Sequence, residues 1–312
     1  MFFKGKIIAP VFARVAYTLL KLVGWKRRTV LANAKHVAGA VPLGALNYDT
    51  LLKNLTRHAG ELLFCFGTFK KLPHDFTAYP CRVDGWDFAL DEAAIPVLEK
   101  MRSGGIFLTA HYGNYEAMGP WLCRLGIPLV ASYIPVKPKW LNNILERKIR
   151  AVDGRSYSVD ARTPRDFLRI LNDGKLFCLL SDQDSRIPSA LSGTLLGQPA
   201  NVNPLPDFLL KHRPQTPVFI CWMEELGASP KGTSTKGASS KKVRVLHAIE
   251  VEGPQVASPA RLASPAPSPS QSSVVNSQFN KWLEERIREN PNLWYSFTHR
   301  RFYSQSPEIY GE

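Results

Sequence analysis

Residues 104–122 read GGIFLTAHYGNYEAMGPWL and form the clearest strand-to-helix junction in the chain. The apolar run 105–110 predicts a short buried strand, and 115–125 predicts a helix that begins soon after it. Gly113 permits a tight turn between the two, and Asn114 is a favourable residue for the N-terminal cap of the helix. The junction therefore predicts one βα unit of an α/β fold.

The same alternation of strands and helices continues on both sides of this junction. Apolar runs predict further strands at 128–134, 175–182, 217–223 and 243–251, and a hairpin or edge strand at 81–92. The helical pattern recurs at 49–67, 93–102, 138–152, 163–173 and 277–289. Such alternation is typical of βαβ units with parallel strands. The predicted fold class is therefore α/β, with a mostly parallel central sheet flanked by helices.

Two segments lack the apolar residues that a packed element requires. Residues 227–242 read GASPKGTSTKGASSKK, and residues 254–273 read PQVASPARLASPAPSPSQSS. Neither composition can bury enough apolar surface to offset the entropy of ordering the chain. We predict low-complexity loops at both places, the first between two strands and the second before the last helix.

The composition limits the classes of protein to which the chain can belong. Apolar residues make up 45% of its 312 residues, which excludes disorder throughout the chain. The formal net charge of +14 favours polyanionic partners, namely nucleic acid, an anionic membrane or phosphorylated substrates. The five cysteines form no Cys-x-x-Cys pair, which argues against a disulfide framework and a zinc ribbon. Their wide spacing favours a reduced compartment.

The N-terminal segment combines apolar faces with positive charge. Residues 1–48 contain eight Lys or Arg and no acidic residue, and residues 7–24 read IIAPVFARVAYTLLKLVG. Arg14 and Lys21 are seven residues apart, so on a helix they share one stripe while apolar residues cover the other faces. This pattern is typical of an amphipathic helix that lies in the membrane interface. A helix that spans the bilayer and a surface helix packed on the core are the alternatives.

The loop after the predicted strand 105–110 carries a pair of titratable residues. His111 would lie on the loop and Glu116 on the first turn of the helix. In this geometry the carboxylate can reach back to the imidazole and hold one tautomer, while His111 removes a proton from a hydroxyl nucleophile. Parallel sheets place their sites at the carboxyl ends of strands, where this pair would lie. His111 and Glu116 are therefore candidate catalytic residues, and a purely structural pair is the alternative.

A second polar cluster, SDQDSR, follows another predicted strand directly. Asp182, Gln183 and Asp184 would lie at the carboxyl end of that strand, which can bring them to the same edge of the sheet as His111. A capped turn without a role in binding is the alternative. The chain contains no Gly-x-Ser-x-Gly, His-Glu-x-x-His, Gly-x-Gly-x-x-Gly or P-loop motif. Their absence argues against a serine hydrolase, a zinc metalloprotease, a dinucleotide-binding protein and a P-loop nucleotidase.

Aromatic and basic residues interleave near the end of the chain, in PNLWYSFTHRRF at 291–302. Such a group could stack on bases, bind phosphates or line a groove near the membrane. Its members are Trp294, Tyr295, Phe297, His299, Arg300, Arg301 and Phe302.

These segments together resemble the bacterial lipid A biosynthesis acyltransferase family, the late lauroyl and myristoyl transferases. TAHYGNYEAMG (109–119) is similar to the family's His-x4-acid block, and LLSDQDS (179–185) to its Asp-Gln-Asp segment. WYSFTHRRF (294–302) is similar to its closing Trp-x-His-x-Arg signature. RRTVLANAKHVAG (27–39) resembles its basic helix after the membrane anchor, and KPKWLNNILERKIRAVDG (137–154) its arginine-bearing helix.

The resemblance implies a role for each candidate residue. It implies that His111 is the general base and that Glu116 is its partner. Arg150 would correspond to the family's essential arginine, with Arg147 as the rival position. The resemblance implies neither a metal site nor a cofactor. The residues that it implies for substrate binding are Asn114, Arg150, Asp182, Gln183 and Asp184.

The resemblance further implies an O-acyltransferase with a fold like that of glycerolipid acyltransferases. Residues 1–40 would form a membrane-associated helical segment and residues 41–312 the acyltransferase domain. Such enzymes lie on the cytoplasmic face of the inner membrane and transfer a fatty acyl chain from acyl carrier protein, with acyl-CoA as the alternative donor. The acceptor is a hydroxyl of a phosphorylated lipid A precursor. The expected partners are therefore inner-membrane lipids, acyl carrier protein and this glycolipid, and no nucleic acid.

Two alternatives to this function remain open from the sequence. The first is the same reaction on another acceptor, such as a lysophospholipid or a mannosylated inositol lipid. The second is a basic, non-enzymatic protein that binds nucleic acid or membranes, which would explain the charge but not the placement of His111 and Glu116 at a strand–helix junction. The insertion at 254–273 and the NPLP sequence at 203–206 depart from the family's pattern. These departures bear on the acceptor and the acyl length more than on the reaction.

Overall fold

The computed structural model describes residues 2–42, 44–132, 137–160, 162–227, 242–251 and 274–311. The low-complexity segment predicted at 254–273 lies wholly outside these ranges. The segment predicted at 227–242 also lies outside them, apart from its first and last residues.

Strands and helices alternate along much of the described chain, as the apolar pattern predicts. The helices are α1 (Phe2–Leu22), α2 (Arg27–His36), α3 (Tyr48–Phe69), α4 (Ile95–Met101), α5 (Tyr115–Arg124), α6 (Lys139–Ile144), α7 (Pro164–Asn172), α8 (Leu205–His212) and α9 (Val274–Glu289). The strands are β1 (Cys81–Val83), β2 (Trp86–Leu90), β3 (Gly105–Thr109), β4 (Leu129–Ser132), β5 (Ala151–Val152), β6 (Arg155–Ser156), β7 (Ser158–Val159), β8 (Leu176–Leu180), β9 (Leu191–Leu195), β10 (Gln198–Val202), β11 (Val218–Leu226) and β12 (Val243–Val251).

Eight of the described strands form one sheet in the order β1-β2-β12-β11-β3-β8-β4-β7. The pairs β2–β12, β11–β3, β3–β8, β8–β4 and β4–β7 are parallel. Only β1–β2 and β11–β12 are antiparallel among the neighbours in this sheet of the described chain. The prediction of a mostly parallel central sheet is confirmed. The strand β3, which leads to His111, lies near its centre.

Helices cover both faces of the sheet, because the side chains of a strand alternate between faces. Ile106 and Leu108 of β3 pack into an apolar cluster with residues of α7, α8 and α9. Phe107, between them, packs into a second cluster with residues of α4 and α5. The prediction of flanking helices is therefore confirmed, and β3 is buried on both sides.

The N-terminal helix α1 packs closely along α3. A Cβ atom on Gly60 would lie 2.6 Å from the backbone oxygen of Ala9, and one on Gly5 would lie still closer to that of Phe64. No side chain fits at such distances, so the two glycines are what allow the helix backbones to approach. One face of α1 is thereby covered by the rest of the described structure.

Another face of α1 presents apolar side chains to the outside. We call the row Ile7, Val11, Val15 and Leu19 the apolar strip; its members are 65%, 58%, 54% and 59% exposed. They are spaced by four residues and so follow one side of the helix. Arg14 and Lys21, which are also exposed, lie to one side of the strip.

The length and hydropathy of the helices bear on whether one of them could cross a membrane. Among the described helices, none is by itself both long and apolar enough to cross a bilayer. The helical stretches Gly5–Leu22 and Arg27–His36 meet that requirement only when taken together, and they are bent by 80°.

The helix predicted over 138–152 is wrong in its second half. Helix α6 ends at Ile144, a π-helical turn follows to Ile149, and the chain then enters the strand β5. The reason lies in Asp153 and Gly154, which have φ angles of 49° and 78°. Two such residues form the tight hairpin turn for which Asp-Gly is the usual sequence, and this turn joins β5 to β6.

The structure contains a second hairpin that the apolar pattern does not predict. Strands β9 and β10 pair antiparallel around Leu196 and Gly197, whose φ angles of 53° and 74° again mark a tight turn. The helix α8, which follows this hairpin, is likewise absent from the prediction. Leucine is an unusual residue in the first position of such a turn, so the sequence carries little signal of it.

Candidate active site

His111 and Asp182 lie side by side because of the register of two parallel strands. Thr109 of β3 pairs with Leu180 of β8. His111 and Asp182 each follow two residues later, at the carboxyl ends of these adjacent strands. The expectation that the SDQDSR cluster shares an edge of the sheet with His111 therefore agrees with the structure for Asp182.

The Asp182 carboxylate binds His111 through both of its oxygens. Oδ1 lies 2.8 Å from Nδ1 of the imidazole, and Oδ2 accepts a hydrogen bond from the backbone N–H of His111 at 3.1 Å. Oδ2 also accepts hydrogen bonds from Nε1–H of Trp294 at 2.8 Å and from Oγ–H of Ser296 at 2.6 Å. Asp182 is fully buried, so these four contacts replace the water that a carboxylate would otherwise bind.

The surroundings of Asp182 keep it ionised. Burial alone would raise its pKa, but the charge of His111 and the hydrogen bonds from His111, Ser296 and Trp294 hold the pKa well below the usual range. An ionised carboxylate only accepts hydrogen bonds, so Nδ1 of His111 carries the proton. In the neutral imidazole, Nε2 is then the nitrogen that can take a proton from another molecule.

The same pair strengthens His111 as a base. Burial lowers the pKa of His111, but the adjacent Asp182 carboxylate, with a smaller contribution from Glu116, raises it above its usual value. The side chain remains 21% exposed, so a substrate can approach it. An imidazole held in one tautomer by a buried carboxylate is the arrangement found in general-base catalysis.

Glu116 does not hydrogen-bond to His111 in the structure. Its carboxylate pairs instead with the Arg150 guanidinium, with Nη2 2.7 Å from Oε1 and Nε 3.4 Å from Oε2. Both side chains are less than one-fifth exposed. The prediction that the Glu116 carboxylate contacts the imidazole is therefore wrong. Glu116 pairs with Arg150 instead, because a guanidinium offers two parallel donors to a carboxylate.

An apolar pocket lies next to this ion pair, between the sheet and α5. It encloses about 530 Å³ of empty space, part of it open to solvent. Glu116 and Arg150 are the charged residues in its wall, and Tyr115, which also lines it, contacts the His111 ring at a centroid distance of 4.9 Å. The pocket therefore begins one side chain away from His111. Its apolar walls include Phe107, Met118, Leu129, Ala131, Cys178 and Leu180.

The remaining predicted binding residues occupy different positions around the site. Asn114 occupies the N-cap position of α5, but its side chain does not cap the helix; it donates to Oε2 of Glu61 on α3 at 2.7 Å. Gln183 is half-buried directly after Asp182. Asp184 accepts from the backbone N–H and the hydroxyl of Ser304 and pairs with Arg186 at 3.2 Å.

The aromatic residues near the C-terminus belong to the core. Trp294, Phe297 and Phe302 are fully buried, as is Arg301, and Tyr295 is nearly so. The suggestion that they stack on bases or bind phosphates is therefore wrong for these residues, since no ligand can reach them. His299 and Arg300 are exposed, and the rings of His299 and His111 are 6.5 Å apart.

The C-terminal segment 291–299 completes the site by pairing with the loop at His111. The backbone N–H of Tyr295 donates to the carbonyl of His111 at 2.8 Å, and that of Gly113 donates to the carbonyl of Leu293 at 2.9 Å. Trp294 and Ser296 then bind Asp182. Sequence reasoning missed these two roles, because nothing local in the sequence indicates that residues so distant along the chain meet His111.

Comparison with known proteins does not assign the chain to a family. No protein-family model matches the chain, and no curated protein matches it either.

Proposed function

We propose that this chain is an O-acyltransferase that moves a fatty acyl chain from a thioester donor to a hydroxyl of a lipid acceptor. The observation that carries the proposal is the pairing of His111 with Asp182 beside an apolar pocket. A base that activates a hydroxyl and an apolar pocket beside it that can receive an alkyl chain are the two parts that such a reaction requires.

In the proposed reaction, Nε2 of His111 removes the proton from the acceptor hydroxyl. The oxygen attacks the carbonyl carbon of the thioester, and the C–O bond forms as a tetrahedral intermediate. The C–S bond then breaks, and the imidazolium returns its proton to the leaving thiolate. Asp182 stabilises the imidazolium throughout, because its pKa keeps it ionised. No covalent enzyme intermediate is needed.

Arg150 is the group proposed to stabilise the negative charge on the intermediate. It lies in the wall of the pocket and is held in place by Glu116 at 2.7 Å. A guanidinium fixed in a poorly hydrated site stabilises an oxyanion without having to reorient during the reaction. Glu116 would then act on Arg150 rather than as the direct partner of His111.

The positive charge of the chain supports the substrates that we propose. The chain has a formal net charge of +14, and the exposed Arg300 directly follows His299, whose ring lies 6.5 Å from that of His111, so we propose a positive field at the entrance to the site. Such a field suits a phosphorylated glycolipid and an acidic carrier protein. With the family resemblance, this supports a lipid A precursor as acceptor and acyl carrier protein, or acyl-CoA, as donor.

The membrane-bound form is also a proposal. The apolar strip of α1, flanked by Arg14 and Lys21, suits a bilayer surface with anionic lipids. We assign the protein to the cytoplasmic face of the inner membrane, with residues 1–40 as its membrane-associated segment and residues 41–312 as a glycerolipid-acyltransferase-like domain.

Mass spectrometry of the reaction product tests this function. Purified full-length protein is supplied with acyl carrier protein loaded with a fatty acid, or with acyl-CoA, and with a lipid A precursor, a lysophospholipid or a mannosylated inositol lipid. We expect the lipid A precursor to gain the mass of one acyl chain and the thiol of the donor to be released. Release of free fatty acid only, with no acylated lipid in any arm, would contradict the proposal.

Narrowing the pocket should change the preferred chain length. Ala131 lies in the pocket wall on β4, and Ala131→Phe adds a ring to that space. We expect kcat/KM to fall roughly tenfold or more for the longest accepted donor, since overpacking typically costs ~1–3 kcal/mol, and to change much less for shorter donors. The ratio between donors is the measurement, so a general loss of folded protein does not affect it. An equal loss for all chain lengths would place the acyl chain elsewhere.

The activity should fall at low pH, with a midpoint above the ordinary pKa of histidine. Only neutral His111 can accept a proton, and Asp182 raises its pKa, so kcat/KM should fall as the pH drops through that raised value. Asp182→Asn removes the raising charge and should move the limb to lower pH while lowering the plateau. Initial rates between about pH 5 and 9 measure both effects. A limb that stays in place in this variant would mean that another group titrates.

A further inference from the structure

A buried ionic cluster lies behind the turn that carries His111. Glu61 of α3 is 7% exposed, and its Oε1 accepts from Nη1 of Arg57 and from Nη2 of Arg244, each at 3.2 Å. Glu225 binds Arg57 at 2.5 Å and lies 3.5 Å from Arg244. Two guanidinium groups thus share two carboxylates, Lys242 lies 3.7 Å from Glu225 as a third cation, and the cluster joins α3 to β11 and β12.

The cluster reaches the candidate site through Asn114 and through His58, which also hydrogen-bonds to the backbone of Gly113. Oε2 of Glu61, the oxygen that faces away from the two arginines, accepts from Nδ2 of Asn114 at 2.7 Å. Asn114 directly follows Gly113, whose φ of 58° lies in the left-handed region and whose N–H binds the C-terminal segment. The first contact therefore ties α3 to the turn, three residues after His111.

The second contact runs through His58 and Tyr295. Nε2 of His58 lies 2.9 Å from Nη2 of Arg57, and because a guanidinium only donates, Nε2 must accept. Burial, with the charges of Arg57 and Arg244, holds the pKa of His58 well below its usual value, so the ring is neutral and its proton is on Nδ1. That Nδ1–H is bonded to the Tyr295 hydroxyl, and the backbone N–H of Tyr295 binds the carbonyl of His111.

We propose that Glu61 is a positioning residue: through Asn114 it fixes the turn that holds His111 against Asp182. The proposal rests on the proposed function only for its kinetic readout. It also assigns the Asn114 side chain to a contact inside the protein rather than to substrate. Glu61 itself lies on α3, in a part of the sequence that carried no functional signal.

A reciprocal exchange tests this contact. Asn114→Asp places two carboxylates where one amide N–H···O bond existed, so the turn should shift. Displacement of catalytic groups by about 1 Å can cost ~10²-fold, so we expect kcat to fall about 10–100-fold with KM for the donor changed less than about threefold. Adding Glu61→Gln to this variant restores the bond with reversed polarity: the introduced amide donates to the new carboxylate, while its oxygen still accepts from Arg57 and Arg244. The double variant should recover kcat to within about fivefold of the wild type.

A spectroscopic readout keeps the test independent of acyl transfer. The Nδ1 proton of His111, hydrogen-bonded to Asp182, should give a downfield proton resonance that weakens in Asn114→Asp and returns in the double variant. Asn114→Ala, which introduces no charge, should weaken it as well and replaces Asn114→Asp if that variant does not fold. Asn280→Ala is the matched control, because Asn280 is 6% exposed and donates one hydrogen bond, at 2.8 Å, to Thr194 of β9. It should leave the resonance unchanged.

Each result bears on one of the two proposals. If the single variant loses the resonance and the double variant regains it, Glu61 positions His111 even where no acyl transfer is detected in any protein. If the double variant stays as impaired in kcat as the single one while the resonance is unchanged in both, Asn114 acts on the substrate directly and the proposal for Glu61 is overturned.

Discussion

Replacing His111 by alanine is expected to lower the rate of acyl transfer about 10²–10⁴-fold, the usual contribution of a positioned acid–base group. The side chain is partly exposed at the carboxyl end of β3, so its removal should leave the fold intact. Asp182→Asn should lower the rate by a large part of the same factor, because the imidazole then lacks the carboxylate charge that fixes its tautomer. Transfer of a labelled acyl chain by purified variants measures both.

Double variants test which carboxylate acts together with His111. His111→Ala with Asp182→Asn should be little worse than His111→Ala alone, since the two residues act as one unit. Glu116→Gln should instead be non-additive with Arg150→Lys, to which the ion pair links it. If losses from His111→Ala and Asp182→Asn simply multiply, the two residues do not form a catalytic unit.

The chain offers a matched control for this experiment. His247 of β12 also binds an aspartate through Nδ1, with Asp91 Oδ2 at 2.8 Å, the same distance as in the pair at the site. It lies two strands away from β3 and does not line the apolar pocket. Because its side chain is only 15% exposed, His247→Ala should lower stability, but acyl transfer per folded protein should stay close to that of the wild type.

The second large effect is expected at the apolar strip of α1. Exchanging all four members for glutamine, in Ile7→Gln, Val11→Gln, Val15→Gln and Leu19→Gln, removes apolar surface but leaves the face that packs on α3. Each side chain that is half-buried in the bilayer contributes ~1 kcal/mol to the free energy of membrane binding. The four exchanges therefore cost ~4 kcal/mol, or about 10³-fold in the partition coefficient between membrane and water. Flotation with vesicles that contain anionic lipids should show the variant in the soluble fraction and the wild type on the vesicles.

Four exposed apolar residues elsewhere provide the control. Ile187→Gln, Leu226→Gln, Ile249→Gln and Val274→Gln change side chains that are 51%, 45%, 40% and 55% exposed and lie outside α1. This variant should float like the wild type. High salt should weaken binding of the wild type, because Lys and Arg contribute part of the attraction. If the wild type stays on the vesicles through both salt and carbonate washes, a helix crosses the bilayer instead. If the wild type never binds vesicles, the apolar strip is not a membrane-binding surface.

The central sheet could be predicted because its strands carry a local signal, whereas its order could not. Strand β8 lies between β3 and β4, although β4 follows β3 along the chain. The apolar pattern of each strand indicates burial but not its neighbour. The position of Asp182 beside His111 depends on that neighbour relation, so sequence reasoning assigned the nearer Glu116 as partner.

The same limit applies to the side chains that complete the site. His111 and the SDQDSR cluster could be identified because each follows an apolar run directly. Three side chains reach the site from distant parts of the chain: Glu61, Trp294 and Ser296. Their residue types alone do not indicate that they lie there. Asn114 occupies the predicted N-cap position of α5, but its side chain binds the Glu61 carboxylate and does not cap the helix.

The pairing of Trp294 and Ser296 with Asp182 has a consequence for protein synthesis. Domains emerge from the ribosome N-terminal end first, at about 5–20 residues per second. The strands that carry His111 and Asp182 are thus exposed to the cell before the residues that bind Oδ2 of the carboxylate have left the exit tunnel. In a growing chain, the Asp182 carboxylate therefore lacks two of its four hydrogen-bond partners until the C-terminal segment folds against it.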